Sequence, residues 1–327
     1  MIKLKQSITR RKKLIAIMLL ALLLFVLPLI STKYITHIFV TCCLLAITAI
    51  GWNICYGYTG LLSLGHTVFF GVSAYITLWL CMYFNITPWI GLFIGAVTAS
   101  VLGILIAFVT IRTRGIYFSL ATFALPQIII IVFNTFWRVT GGAYGVPVPF
   151  TEESVYLMYF HDPIYYYYIA LIVLISVLGL QMKLDKSKWG YCLRALGSDE
   201  DAANSLGINP FKTRLLGMGI SSFVTGLAGG IFIMFLKFIN PTEAFGWVRN
   251  VQLILSAIVG GTGTIFGPVL GVLIIVPLLE IMKLTVERQF RGLHLVIYGV
   301  LLMMTIILMP RGIYPQLKRF LKKYFGG

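Results

Sequence analysis

Charge is what this sequence lacks most. Of its 327 residues 11% are charged, while 59% are hydrophobic. A soluble domain carries about 25% charged residues. At a mean hydropathy of +0.95 there is too little polar surface to cover a water-facing exterior. That excludes a water-soluble core and makes lipid the solvent for most of the chain. Acidic residues are scarcer still, 10 against 26 Lys and Arg, for a net charge of +16. Such an excess would suit nucleic acid if it coated one face. Instead it falls into clusters between long apolar runs: Lys3 to Lys13, Arg112 and Arg114, Lys183 to Arg214, and Arg311 to Lys323. That is how the positive-inside rule distributes charge in a membrane protein, and it argues against nucleic-acid binding.

Other absences narrow the chemistry. The five cysteines, Cys42, Cys43, Cys55, Cys81 and Cys192, form no metal-ligand spacing and no disulfide framework. They read as small buried hydrophobes. No G-x-x-x-x-G-K-[ST] loop occurs, so the chain has no phosphate cradle of that kind. If ATP drives its function, a partner subunit binds the ATP, and no cofactor is expected in this chain. No cluster of catalytic polar groups is visible, which argues against an enzyme. No A-x-A-like cleavage site follows the apolar run 14–30, so that run reads as a first membrane helix with a basic cytoplasmic flank.

What is present is long apolar runs. A membrane helix needs about 20 such residues. On that ruler the spans fall at 14–30, 36–56, 67–84, 88–110, 116–136, 164–182, 213–236 and 292–309. The stretch 249–282 is too long for one helix and short for two, and Gly260-Gly261-Thr262-Gly263 breaks its middle. It reads as two helical pieces that either cross twice or re-enter. The expected fold is an all-α polytopic integral membrane protein of about ten transmembrane helices, with a broken-helix region near 249–282. Both termini are basic, which places both in the cytoplasm. Loop 138–163 then lies outside, where Glu152, Glu153 and Asp162 outnumber Arg138, and 183–212 lies inside. Tyr165 to Tyr168 read as an aromatic belt at the outer interface.

Segment 183–212 is the most informative. Ser198 can cap a short helix whose first turn holds Asp199, Glu200 and Asp201. Gly207 ends that helix and Pro210 blocks its extension. A short exposed helix between breakers can seat in a partner's groove and transmit a push to flanking spans. The plain alternative is a solvated loop.

Asp201-Ala202-Ala203, three residues, then Gly207 resembles the E-A-A-x-x-x-G coupling motif of ABC importer permeases, with Asp in place of Glu. The wider run Arg194-Ala195-Leu196-Gly197 through Gly207-Ile208-Asn209-Pro210 resembles the permease family for branched-chain amino acids, its M-type subunit most of all. Further segments follow in the same order: Tyr58 to His66 with Gly60, Ser63 and Gly65; Arg112 to Ser119 with Tyr117; Thr140-Gly141-Gly142; the break at 260–263; and Pro310 to Ile313. The resemblance implies one transmembrane permease domain over 1–327 in the bacterial inner (plasma) membrane. It implies that Arg194, Asp199, Glu200, Asp201, Ala202, Ala203, Gly207 and Pro210 dock on a cytoplasmic ATPase. It also implies an H-type second permease, two ATP-binding subunits and an external substrate-binding protein as partners. Relatives in the same family handle urea or other small solutes.

Candidate path residues follow from chemistry. Irregular backbone at membrane depth is tolerated where it is buried in protein or lines a cavity. Gly60, Ser63, Gly65 and His66, and likewise Gly260, Gly261 and Gly263, can therefore wall a path. A cytoplasmic turn and tight helix packing are their plain alternatives. His66 can relay protons or simply hydrogen bond. Gln127, after Pro126, needs polar partners and is expected to face the bundle or a cavity. Glu280 with Lys283 reads as interface pairing. An ion-coupled secondary transporter would want paired carboxylates inside its spans, and these are lacking here.

Overall fold

The computed structural model describes residues 25–110, 116–149, 152–286, 296, 299–300, 303–304, 307 and 312–325. Most of the expected spans 14–30 and 292–309 lies outside them, as do Arg112 and Arg114. Among the described residues six helices are long and apolar enough to cross a membrane. They are α1 (Lys33–Asn53, continued by a π turn, Ile54–Tyr58), α2 (Thr67–Phe84), α3 (Pro88–Thr110), α4 (Ile116–Thr135), α6 (Pro163–Asp185) and α9 (Pro210–Leu236). All six were legible as spans, with ends that move by a few residues at most. Between α4 and α6 lie α5 (Trp137–Thr140) and β1 (Val146–Pro147). Between α6 and α9 lie α7 (Lys188–Ser198) and α8 (Glu200–Ser205). After α9 come β2 (Phe238–Ile239), α10 (Pro241–Phe245), α11 (Trp247–Gly260), α12 (Gly267–Val286) and α13 (Ile313–Phe325).

Local sequence explains where helices begin. Asp162-Pro163, Asn209-Pro210 and Asn240-Pro241 each place an amide or carboxylate acceptor at the N-cap and proline at the first helical position. The cap satisfies a backbone N–H, and proline there loses none it needs.

Helix α9 is the hub, packed against α1, α2 and α3. In lipid the apolar effect does little to hold helices together, so small residues that allow close approach take over. Gly229 shows the requirement: a Cβ there would run into the backbone of Phe70 on α2. Cys42, Cys43, Cys55 and Cys81 are buried as expected, and Cys192 is half-buried.

The molecule has two distinct ends. One, the basic end, carries α7, α8 and the start of α9. The other carries β1, which pairs antiparallel with β2, and the loop 152–162. In that loop the backbone and ring N–H groups of His161 hold the Glu153 carboxyl below its usual range.

The expected break in 249–282 is present. Helix α11 runs to the basic end and α12 runs back, so that Glu280 meets Tyr34 near the start of α1 at 3.4 Å. The two pack tightly because Gly271 lies against the Ser256 carbonyl, where no side chain would fit.

Candidate functional site

Between the π turn and α2 the chain leaves helical geometry over residues 60–66 and, apart from exposed Gly60, is nevertheless buried or half-buried. Ser63 and His66 are fully enclosed. Burial of irregular backbone requires partners for its polar groups, and neighbouring helices supply them. Trp52 donates its ring N–H to the Ser63 carbonyl at 2.8 Å. Ser119 donates to the Leu62 carbonyl at 2.8 Å, and the Thr122 hydroxyl accepts from the Leu64 N–H at 3.0 Å. The Asn250 amide donates to the Leu64 carbonyl. Gly65 packs on the Thr122 carbonyl.

His66 sits in a chain of hydroxyls. Its Nδ1 is 2.9 Å from Ser63 Oγ and its Nε2 is 2.6 Å from Ser221 Oγ. Ser221 donates its single proton to the Gly51 carbonyl at 2.6 Å. Nε2 therefore carries the imidazole hydrogen, and Nδ1 accepts from Ser63. No carboxylate enters this chain among the described residues. The arrangement ties α1, the 60–66 loop and α9 together, which is a hydrogen-bonding role.

The glycine break meets the same region. Asn53, buried at the end of α1, donates to the Thr264 carbonyl at 2.9 Å and accepts from the Gly263 N–H at 2.7 Å. Gly263 also lies against Gly57 of the π turn, and Gly261 against Gly312 ahead of α13. Gly260 seals the α11–α12 hairpin against Gly267.

The basic end corrects the reading of 183–212. Two helices stand where one was expected. Ser198 is not the cap: it ends α7, and its hydroxyl donates to the Arg194 carbonyl at 3.0 Å. Asp199 is the cap of α8, accepting from the Ala202 N–H at 3.0 Å, with Glu200 and Asp201 in the first turn. Gly207 does end the segment, at φ +83°, a conformation glycine adopts freely. Pro210 does not merely block a helix; it opens α9. The segment is anchored rather than loose. Leu193, Leu196 and Ala203 are buried. Arg214 grips Glu200 with two bonds of 3.0 Å. Arg194 pairs with Asp185 and lies 4.8 Å over the Tyr58 ring, while Gly197 rests on the Tyr58 carbonyl. Beside it, Gly60 approaches Gly197.

The expected residues thus sort into groups. Gly60, Ser63, Gly65, His66, Gly260, Gly261 and Gly263 gather around the C-terminal ends of α1 and α11. Arg194, Asp199, Glu200, Asp201, Ala202, Ala203, Gly207 and Pro210 gather at the basic end and touch the first group through Tyr58. Tyr117 and Gln127 join neither. Phe118, Ser119, Thr122 and Pro126 form the buried face of α4, which turns Gln127 to the chain's surface rather than into its bundle and leaves Tyr117 71% exposed. Sequence reasoning missed Asn53, whose signal is a lone amide inside an apolar run.

A family model described as branched-chain amino acid transport system / permease component matches residues 34–306. The high-affinity branched-chain amino acid transport system permease protein LivM of Escherichia coli (strain K12) is 27% identical over 298 residues, 84% of this chain and 69% of that one. The protein of the same name from Salmonella typhimurium is 26% identical over 302 residues, 86% and 70% of the two chains. A probable branched-chain amino acid transport permease protein LivH of Methanocaldococcus jannaschii is 30% identical over 159 residues, 46% of this chain and 49% of its own. No solved structure matches.

Proposed function

Because this chain belongs to the family of permease components of branched-chain amino acid transport systems, we propose that it is the membrane-spanning subunit of a binding-protein-dependent ABC importer. It forms the translocation path for branched-chain amino acids together with an H-type permease. Two cytoplasmic ATPase subunits supply the energy, and an external binding protein delivers the substrate. The printed names of the relatives support the substrate class.

The observation that carries the coupling role is the contact of Gly197 and Arg194 with Tyr58. It connects an exposed surface at the basic end to the π turn of α1. Through Asn53 that turn holds the break between α11 and α12. A push on α7 and α8 by a partner therefore reaches the 60–66 and 261–264 segments in few contacts. Exposed Trp189, Tyr191 and Leu206 supply an apolar face for that partner.

In this reading the basic end is cytoplasmic and the path crosses the inner membrane about ten times, with α11 and α12 as two of the crossings. Reconstitution with the partner subunits tests it. Leucine uptake that requires ATP and the binding protein is the expected result. Uptake by this chain alone, driven by an ion gradient, would overturn it.

A further inference from the structure

Helix α13 (Ile313–Phe325) is two-faced. At helical spacing Ile313, Leu317 and Phe320 fall on one side, and Lys318 and Arg319 on the other. Lys322 and Lys323 follow in the sequence, and no acidic residue occurs after Glu287. The helix has 13 residues, a length of about 20 Å, which is short of a hydrocarbon core of about 30 Å. It therefore cannot cross.

Its place is fixed at the basic end. Gly312, at φ +77°, turns the chain into α13 and rests on Gly261 at the end of α11. Ile313 packs against the cluster of Val259, Ile275 and Leu279, so the apolar stripe starts on the α11–α12 hairpin. Beyond the hairpin the stripe is uncovered, with Leu317 43% and Phe320 57% exposed. The Tyr314 ring lies 6.2 Å from that of exposed Phe266, just ahead of α12. Aromatic rings of this kind collect at headgroup level. Lys318 and Arg319 are exposed and enter none of the ion pairs among the described residues.

We propose that α13 lies in the plane of the membrane at the basic end, with its apolar stripe among the acyl chains and its basic side on anionic phospholipid headgroups. An apolar stripe alone would fit a protein groove equally well. Four cations within residues 318–323, with no acid among them, are answered by a surface of fixed negative charge. Lipid is at hand there, because the helix springs from a hairpin of a chain that spans the membrane. Lipid charge then bears on the glycine break, to which α13 is joined through Gly312 and Gly261. The inference rests on the membrane-spanning character of the chain and not on what it transports.

The test uses the full chain in phospholipid vesicles, in a C192S background, with an environment-sensitive fluorophore attached to L317C or to Q316C. Lipids carrying a doxyl quencher on the acyl chain should quench the probe on L317C strongly and the probe on Q316C weakly. At equal content, doxyl-labelled phosphatidylglycerol should quench L317C several-fold more than doxyl-labelled phosphatidylcholine, since each basic residue near an anionic surface is worth roughly fivefold in binding. In about 1 M salt, where the Debye length is about 3 Å, that preference should vanish. It should vanish also in K318Q/R319Q/K322Q/K323Q, with quenching of L317C by phosphatidylcholine retained. Equal quenching by the two lipids at low salt, a preference that survives high salt, or a probe on L317C as open to water as that on Q316C would overturn the assignment. So would shielding of L317C that begins only when the ATPase subunits are added, which would make α13 a protein-docking helix.

Discussion

At the scale of single residues, two buried polar side chains do work that no exposed charge does. Asn53 uses its amide both ways, donating to Thr264 and accepting from Gly263. N53A would strand a carbonyl and an N–H away from water, at about 1–3 kcal/mol for each group left unpaired. The expected outcome is a lower thermal unfolding midpoint for the purified assembly and proteolytic cutting at 261–266. His66 gives a different prediction. Its hydroxyl chain ends on the Gly51 carbonyl and meets no carboxylate among the described residues, which favours bonding over carrying protons. H66Q keeps a donor and an acceptor and should retain uptake with an unaltered pH profile; a profile that shifts or flattens would restore the relay. Asn53 and His66 were both visible as polar letters in apolar surroundings. What each one bonds could not be seen, because the partners lie as far as 211 residues away.

At the scale of elements, the segment between α6 and α9 shows how far local signals carry. The acidic first turn and Gly207 were legible because caps and positive φ are matters of a few adjacent residues. The division into α7 and α8 was not. Asp199 serves as the terminus of one helix and the cap of the next, and either Ser198 or Asp199 could cap on composition alone. The ion pair from Glu200 to Arg214 fastens α8 to α9, with side chains 25% and 12% exposed. Breaking it with E200Q should leave the membrane helices folded, cost about 1–3 kcal/mol in local stability, and speed amide hydrogen exchange in 199–206. Transport should fall more than ATP hydrolysis, since the push is then poorly transmitted. Equal loss in R214Q and in the E200Q/R214Q pair would mark a shared contact. Additive losses would mean the two residues act separately.

At the scale of the whole molecule, the two ends define a direction. Tyr144 is 91% exposed at the β1–β2 end, and Ser205 is exposed at the basic end. In a C192S background, cysteine at Tyr144 should react with an impermeant maleimide added to intact cells, and cysteine at Ser205 should react after lysis alone. Labelling of both from one side would refute the membrane orientation. The sequence by itself determined that the chain spans a membrane, where six of its spans run, and that a glycine break interrupts 249–282. Those depend on solvent transfer, helix length and local backbone freedom, which are properties of neighbouring residues. Tertiary structure alone decided that Ser63 and His66 of the loop before α2 are buried inside the protein and that Gln127 faces out. In lipid every buried polar group must find its partner across helices distant in sequence, and that pairing exists only once the helices are packed.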